Sequence, residues 1–282
     1  MRNRRSLLML PTVVLFTTAS LVMGSASQAA SGPTRIYSTA EIRAFNETIL
    51  QTILDLRVKG YGQEATTQFL ELHYGLHELP IVQSAPTQIP LSTVATDAAV
   101  NPPTIYFDAV HREGIITSSW QWAKSGEAKI PDELGACKVA VNPCTTFHNV
   151  GGNDAYGVST SRGLGWINFS AGTIGAGTNR SLILTDSGPG GAEWKGQDQF
   201  KGHPGNPQYT WDYGAEVSGI SSWNGCSTVQ GFAKISHTWS STDVTGFSIG
   251  VWSIGFQWNS TSNHWEHASQ PGNLFKPTGL GC

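Results

Sequence analysis

The stretches "VQGFAKISHTW" (residues 229–239) and "GFSIGVWSIGFQW" (residues 246–258) decide the fold. In the first, Val229, Ala233, Ile235, His237 and Trp239 fall on one side, and Phe232, Lys234, Ser236 and Thr238 on the other. A period of two is that of a β-strand, and the first side is the expected core face. In the second stretch the apolar parity changes. Phe247, Ile249 and Val251 are odd-numbered, whereas Trp252, Ile254, Phe256 and Trp258 are even-numbered. A slip of one residue turns every side chain to the opposite face. The chain therefore needs a turn or bulge near Gly250, or a strand buried on both faces.

The same texture extends back to Thr104. Short alternating runs such as "TIYFDAV", "IITSSWQWA", "AYGVSTS", "LGWINFSAG" and "AEVSGISSW" are separated by Gly, Asn, Asp and Ser. Strands at this spacing predict an antiparallel β-sandwich or barrel of roughly eight to ten strands over residues 104–282. Before it, residues 30–80 read as a short helical hairpin. "STAE" offers a capping box from Ser38 to Glu41, and Ile42, Phe45, Ile49 and Ile53 recur at helical spacing. "KGYGQ" breaks the helix and "EATTQFLELHYGLHEL" resumes it. Such a hairpin is too small for a core of its own and must pack on something else. Residues 81–103 are rich in Pro and read as an extended linker.

The first 29 residues have the form of an export signal. Arg2, Arg4 and Arg5 precede an apolar run, and Ser27 and Ala29 supply the small residues of a cleavage site. "NRRSLL" also fits a twin-arginine route. Loss of those three arginines takes the formal charge from −3 to −6, which excludes the basic footprint of a nucleic-acid binder. Charged residues are 13% of the chain, against about 25% in ordinary soluble domains, so Ser, Thr, Asn and Gly carry the solubility. The mature chain is expected to be extracellular, with no transmembrane segment. Cysteine usage agrees. Cys137, Cys144, Cys226 and Cys282 all follow the signal and are expected as disulfides, Cys137–Cys144 and Cys226–Cys282. The second closes a long loop and would contribute on the order of 4 kcal/mol. "CKVAVNPC" lacks zinc-ligand spacing, and no metal or cofactor is expected.

Candidate chemistry is sparse. "LTDSGPGG" (residues 184–191) resembles the start of the nucleophile signature of chymotrypsin-like proteases. Thr185, however, stands where an oxyanion-hole glycine belongs, and the residues after Ser187 are scrambled. His148, Asp154 and Ser187 have a chain order a triad can use, but Asp186-Ser187-Gly188 reads as turn chemistry ending a strand. His73 and His77 lie one helical turn apart, without the intervening Glu of a zinc protease. The acidic residues show no paired-carboxylate motif, though Glu193, Asp198 and Asp212, which flank or occupy the long stretch at 185–211, could form a glycosidase pair. No catalytic residue is assigned.

The remaining signal is aromatic. Residues 185–211 form a stretch of about 27 residues without convincing periodicity, and such loops tend to be functional. Trp194, Tyr209 and Trp211 within it are the expected ligand-binding residues. Three function classes follow. The first is a non-catalytic binder of an extracellular glycan, envelope or lipid surface. The second is a hydrolase whose helical hairpin is a removable pro-segment. The third is a structural or toxin-like envelope protein.

Overall fold

The structure, a computed structural model, describes residues 37–79, 81–83, 98–108, 110–111, 113–122, 148–149, 151–175, 178–197, 199–201, 208–209, 213–222, 228–269 and 274–275. These fall in the unit Ile36–Cys282, as distinct from Met1–Arg35. The cysteines, Trp211, Asp198 and Asp212 lie outside the described residues.

Helix α1 (Thr39–Val58) begins as the sequence predicts. The Ser38 N–H donates to Glu41 Oε2 at 2.8 Å, and the Glu41 N–H donates to Ser38 Oγ at 3.3 Å, so two otherwise unpaired donors are satisfied. Helix α2 (Gln63–Tyr74) stops at Gly75, whose φ of 68° is left-handed and costs little only for glycine. The predicted continuation of this helix through His77 is therefore corrected. Leu76–Glu78 is strand β1, His77 leaves the helix, and the His73/His77 pair does not form. His73 instead packs its ring on Phe69, and His77 Nδ1 lies 3.1 Å from Glu71 Oε1.

The chain is mostly β, and its sheets are antiparallel. The first sheet runs in the order β1, β3 (Ala98–Asp108), β4 (Glu113–Trp122), β13 (Tyr213–Ser222), β7 (Gly165–Gly175) and β8 (Thr178–Ser181). The second runs β17 (His264–Ala268), β14 (Gly231–Thr238), β6 (Asp154–Thr160), β10 (Gly191–Gly196) and β9 (Ile183–Gly188). Three smaller pairings complete the described strands. They are β12 (Gln208–Tyr209) with β11 (Gln199–Lys201) and β5 (His148–Asn149), β15 (Val244–Gly250) with β16 (Ser253–Trp258), and β18 (Leu274–Phe275) with β2 (Ile81–Gln83). Strand structure thus extends into the predicted linker at both ends, at β2 and at the first six residues of β3.

The two large sheets are open rather than closed, and they share one core. Ile105, Ile116 and Trp120 from the first sheet meet Tyr156, Val158, Ala192, Trp194, Ala233 and Ile235 from the second. The Trp120 and Tyr156 rings lie 4.3 Å apart across the interface. Each fully buried ring or aliphatic side chain of this kind contributes roughly 1.5–3 kcal/mol by leaving water. Ala233, Ile235 and His237 point inward, as the alternation predicts.

The opposite faces are buried too. Helix α1 lays Ile49, Leu50, Ile53 and Leu54 over Tyr106 and Ile115 of the first sheet. On the second sheet, Phe232 and Ala155 are covered by Val244, Ile254 and Phe256 from the β15–β16 hairpin. The parity change at Gly250 is the turn of that hairpin, where Gly250 pairs with Ser253 around Val251 and Trp252. Trp252 adopts a left-handed φ of 59°, and its N–H donates to the Thr160 carbonyl at 2.8 Å. That bond fastens the hairpin tip to the end of β6.

Candidate functional site

The predicted aromatic loop is largely sheet. Residues 185–211 contain most of β9, then β10, β11 and β12, and the β9–β10 turn is made by Pro189 and Gly190. Trp194 is 1% exposed, pairs with Tyr156 on β6, and stacks on its ring at 6.3 Å. It belongs to the core between the sheets, which corrects its expected position on a loop surface. A single tryptophan between Glu and Lys shows no clean alternation, so its strand was invisible in the sequence. Tyr209 lies on β12 opposite Phe200. Trp211, like the four cysteines of the expected disulfides, lies outside the described residues.

Among the described residues, no hydrogen bond joins the candidate nucleophile to a base. Ser187 sits within edge strand β9, exposed, opposite Ala192, and its N–H donates to Asp186 Oδ1 at 2.8 Å. The turn predicted there begins one residue later, at Pro189. Asp154 is fully buried and committed elsewhere. Its Oδ2 lies 2.9 Å from His237 Nδ1, and its Oδ1 accepts the Thr238 N–H at 2.8 Å. His148 pairs with Phe200 on another sheet. His237 is thus a satisfied core histidine, and Asp154 is its positioning partner.

Two glutamates have strongly altered acidity. Glu193, on β10 beneath the hairpin, is pushed up to about 8, chiefly by burial and then by the Asp186 carboxylate on β9; Lys234 and the Gly255 and Ser248 backbones oppose the shift. Glu113, beneath the helix layer, is also pushed up to about 8 by burial and by Asp108, its partner across the β3–β4 pair. Both are at most 1% exposed, and none of their carboxyl oxygens makes a hydrogen bond of normal geometry. Asp108 is spent on the turn, where it accepts the Val110 and His111 N–H groups at 2.8 and 3.1 Å and holds His111 Nδ1 at 2.6 Å. Among the described residues, no group of three His, Cys, Asp or Glu side chains is placed to hold a metal ion. A small cleft between the helices and β3–β4 is lined by Arg57, Gln63, Asn101 and Tyr106. Its polar groups are bonded to one another, with Gln63 Nε2 reaching both Thr104 Oγ1 and the Tyr106 hydroxyl at 3.2 Å.

The surface with a different character is one corner of the second sheet, where β6 and β17 begin and β14 and β16 end. Three turns meet there, residues 151–153, 239–243 and 259–263. The Gly152 N–H donates to the Thr242 carbonyl at 2.9 Å, and Asp243 Oδ1 accepts from the Asn153 N–H at 2.7 Å. Thr242 Oγ1 donates to the Ser262 carbonyl at 2.7 Å, and the Trp239 N–H to the Asn263 carbonyl at 3.0 Å. Asn259 closes the set, accepting from the Asp243 N–H at 2.9 Å and donating to the Ser241 carbonyl at 3.2 Å. Gly151 is required by this closeness: its φ is 112°, and a Cβ there would lie 2.5 Å from the Trp239 backbone.

No protein-family model, curated protein or solved structure matches the chain. The corner must speak for itself. On the hairpin side Trp258 stacks on His264 at 3.9 Å and 19°, and its indole N–H donates to Ser236 Oγ at 2.9 Å. On the core side the His237 ring lies 5.2 Å from Trp265 and 5.9 Å from Trp239. Trp239, Trp258, His264 and Trp265 are all partly exposed, and the turns between them are built of Ser, Thr and Asn. Sequence reasoning placed Trp239 on the core face, read Trp258 with the apolar parity of the last strand, and passed over His264 and Trp265. The signal was nonetheless present, in "WSST" and "WNSTSNHW", where tryptophans bracket turns of small polar residues.

Proposed function

We propose that this chain is an exported, non-catalytic β-sandwich protein that binds an extracellular glycan, envelope or membrane surface. The contact surface in this reading is the corner carrying Trp239, Trp258, His264 and Trp265. The carrying observation is that its rings are partly open while the three turns beneath them are bonded to one another. A pre-organised aromatic surface binds without first losing much conformational entropy. The sealed environments of Glu113, Glu193 and the Asp154–His237 pair support a role without catalysis, because a general acid must reach its substrate. The signal-like residues 1–29 support export, and no helix among the described residues is long and apolar enough to cross a membrane. Tyr209 and Trp211 remain proposed contributors alongside the corner.

The test is retention of the mature protein on insoluble polysaccharide, cell-wall preparations and liposomes, with the melting temperature of each variant measured in parallel. Trp239→Ala and Trp258→Ala are expected to lower retention at least tenfold while the variants remain folded, as loss of a contact worth about 1.4 kcal/mol or more requires. Trp194→Ala should instead unfold the sandwich. Wild-type protein that adheres to none of the three surfaces would reject the reading.

A further inference from the structure

We infer that the corner recognises a neutral, hydroxyl-rich polysaccharide rather than an anionic or lipid surface; this rests on the corner being the contact surface proposed above. The first observation is charge. Residues 151–153, 239–243 and 259–265 contain no Lys or Arg. Their one Asp, Asp243, is spent on the turn, accepting from both the backbone N–H and the side-chain amide of Asn153 at 2.7 and 3.1 Å. Asp154 below is buried on His237 and Thr238. Of the described cations on the neighbouring strands, Lys234 is paired with Glu266 at 2.8 Å, and Lys195 lies on β10 opposite Ala155, outside the three turns. Phosphate, carboxylate or sulfate ligands call for Arg or Lys donors, and an anionic leaflet attracts basic residues; neither finds them in these three turns.

The second observation is chemical complementarity. A sugar ring offers flat C–H faces and a rim of hydroxyls. The corner offers indole and imidazole rings beside Ser240, Ser241, Asn259, Thr261 and Ser262, all exposed. Such hydroxyls and amides both donate and accept, as a sugar rim does. Interfacial binding to a bilayer pairs such rings with a continuous apolar face and Lys or Arg on the polar side, which these turns do not carry. The exposed aliphatics of the second sheet and its hairpin lie elsewhere: Ile183 and Leu184 on the far edge strand β9, and Val251 at the distal hairpin tip.

The experiment measures binding by affinity electrophoresis and tryptophan fluorescence against a soluble β-glucan, a mannan and a dextran, against polygalacturonate, and against phosphatidylglycerol vesicles. The expected result is binding to at least one neutral polysaccharide that changes less than twofold between 50 and 500 mM NaCl. Trp258→Ala and Trp239→Ala should weaken it tenfold or more, whereas Trp258→Phe, which keeps a stacking face, should stay within about threefold of wild type. Melting curves of all three variants separate loss of contact from loss of fold. Binding confined to polygalacturonate or to vesicles, or a tenfold salt dependence, overturns the neutral-glycan inference; if the same tryptophan variants abolish it, the corner as contact surface survives. Neutral-glycan binding indifferent to both alanine variants in folded protein overturns the assignment to this corner. Binding to no probe rejects both.

Discussion

The two sheets of the sandwich are covered on their outer faces by different materials. Over the first lies a helix layer of branched aliphatics, Ile49, Leu50, Ile53, Leu54 and Leu70, closing on Tyr106 and Ile115. Over the second lies a single two-stranded hairpin whose side chains are largely aromatic: Phe247, Phe256, Trp252 and Trp258. An α-helix about 10 Å wide, with long side chains, seals what it covers. A lone hairpin is narrower than the five-stranded sheet below it and marginal in isolation. Its rings therefore close the centre and stay half-open at the end, where Trp258 stacks on His264. The incomplete cover is what makes the second sheet the candidate for recognition.

The layers share one feature, a buried glutamate beneath each, and this yields the largest expected effect. Glu113 and Glu193 titrate near 8 in the folded chain, against 4.5 for an unperturbed glutamate. The folded state therefore holds protons that the unfolded state releases between those values. Their contribution to stability is fully present below about pH 4.5, declines as the pH rises, and is gone above pH 8. The slope approaches about 1.4 kcal/mol per pH unit for each group. Urea midpoints measured at pH 5 and pH 8.5 should show a marked loss at the higher value. Glu113→Gln should remove the helix-layer share of that difference and Glu193→Gln the hairpin share. Equal midpoints in the wild type at both pH values would break the parallel between the layers.

The next effect separates the layers by packing. Ile49→Ala should cost roughly 2–4 kcal/mol and Phe256→Ala roughly 3–5 kcal/mol, since each empties a buried site. Both should lower the whole cooperative transition, because each layer shares a core with its sheet. A separate early transition in Phe256→Ala, seen by tryptophan fluorescence before circular dichroism, would sharpen the comparison by making the hairpin an independently opening strap.

The smallest effect concerns the corner itself. Ser240 is exposed with a φ of 60°, a conformation that penalises a Cβ. Ser240→Gly should stabilise by about 0.5 kcal/mol, net of the glycine's greater freedom when unfolded. Thermal melts would detect it, and a loss of stability would show that the Ser240 side chain contributes to holding the turns.

What the sequence determined by itself was local. The Ser38–Glu41 cap, the α1 stripe, the inward face of β14 and the turn at Gly250 all follow from residues within one or two turns or strand steps of each other. Periodicity reports which side chains share a face, because that is a property of the backbone helix or pleat. It does not report what lies opposite that face. Phe232 and Lys234 read as the outer side of β14 and are nonetheless covered, since the hairpin that covers them is packed from later in the chain. Trp194 reads as a loop residue because its neighbours, Glu193 and Lys195, do not alternate cleanly with it. Its burial was decided by β6 and β9 pairing on either side. The corner is the extreme case. Its rings stand on β16 and β17 and on the turn after β14, and only the packing of those ends against residues 151–153 brings Trp258 and His264 on the hairpin side and Trp239 and Trp265 on the core side to the same corner. Contacts between residues distant in sequence are selected by the burial free energy of the whole fold, which no short window of residues encodes.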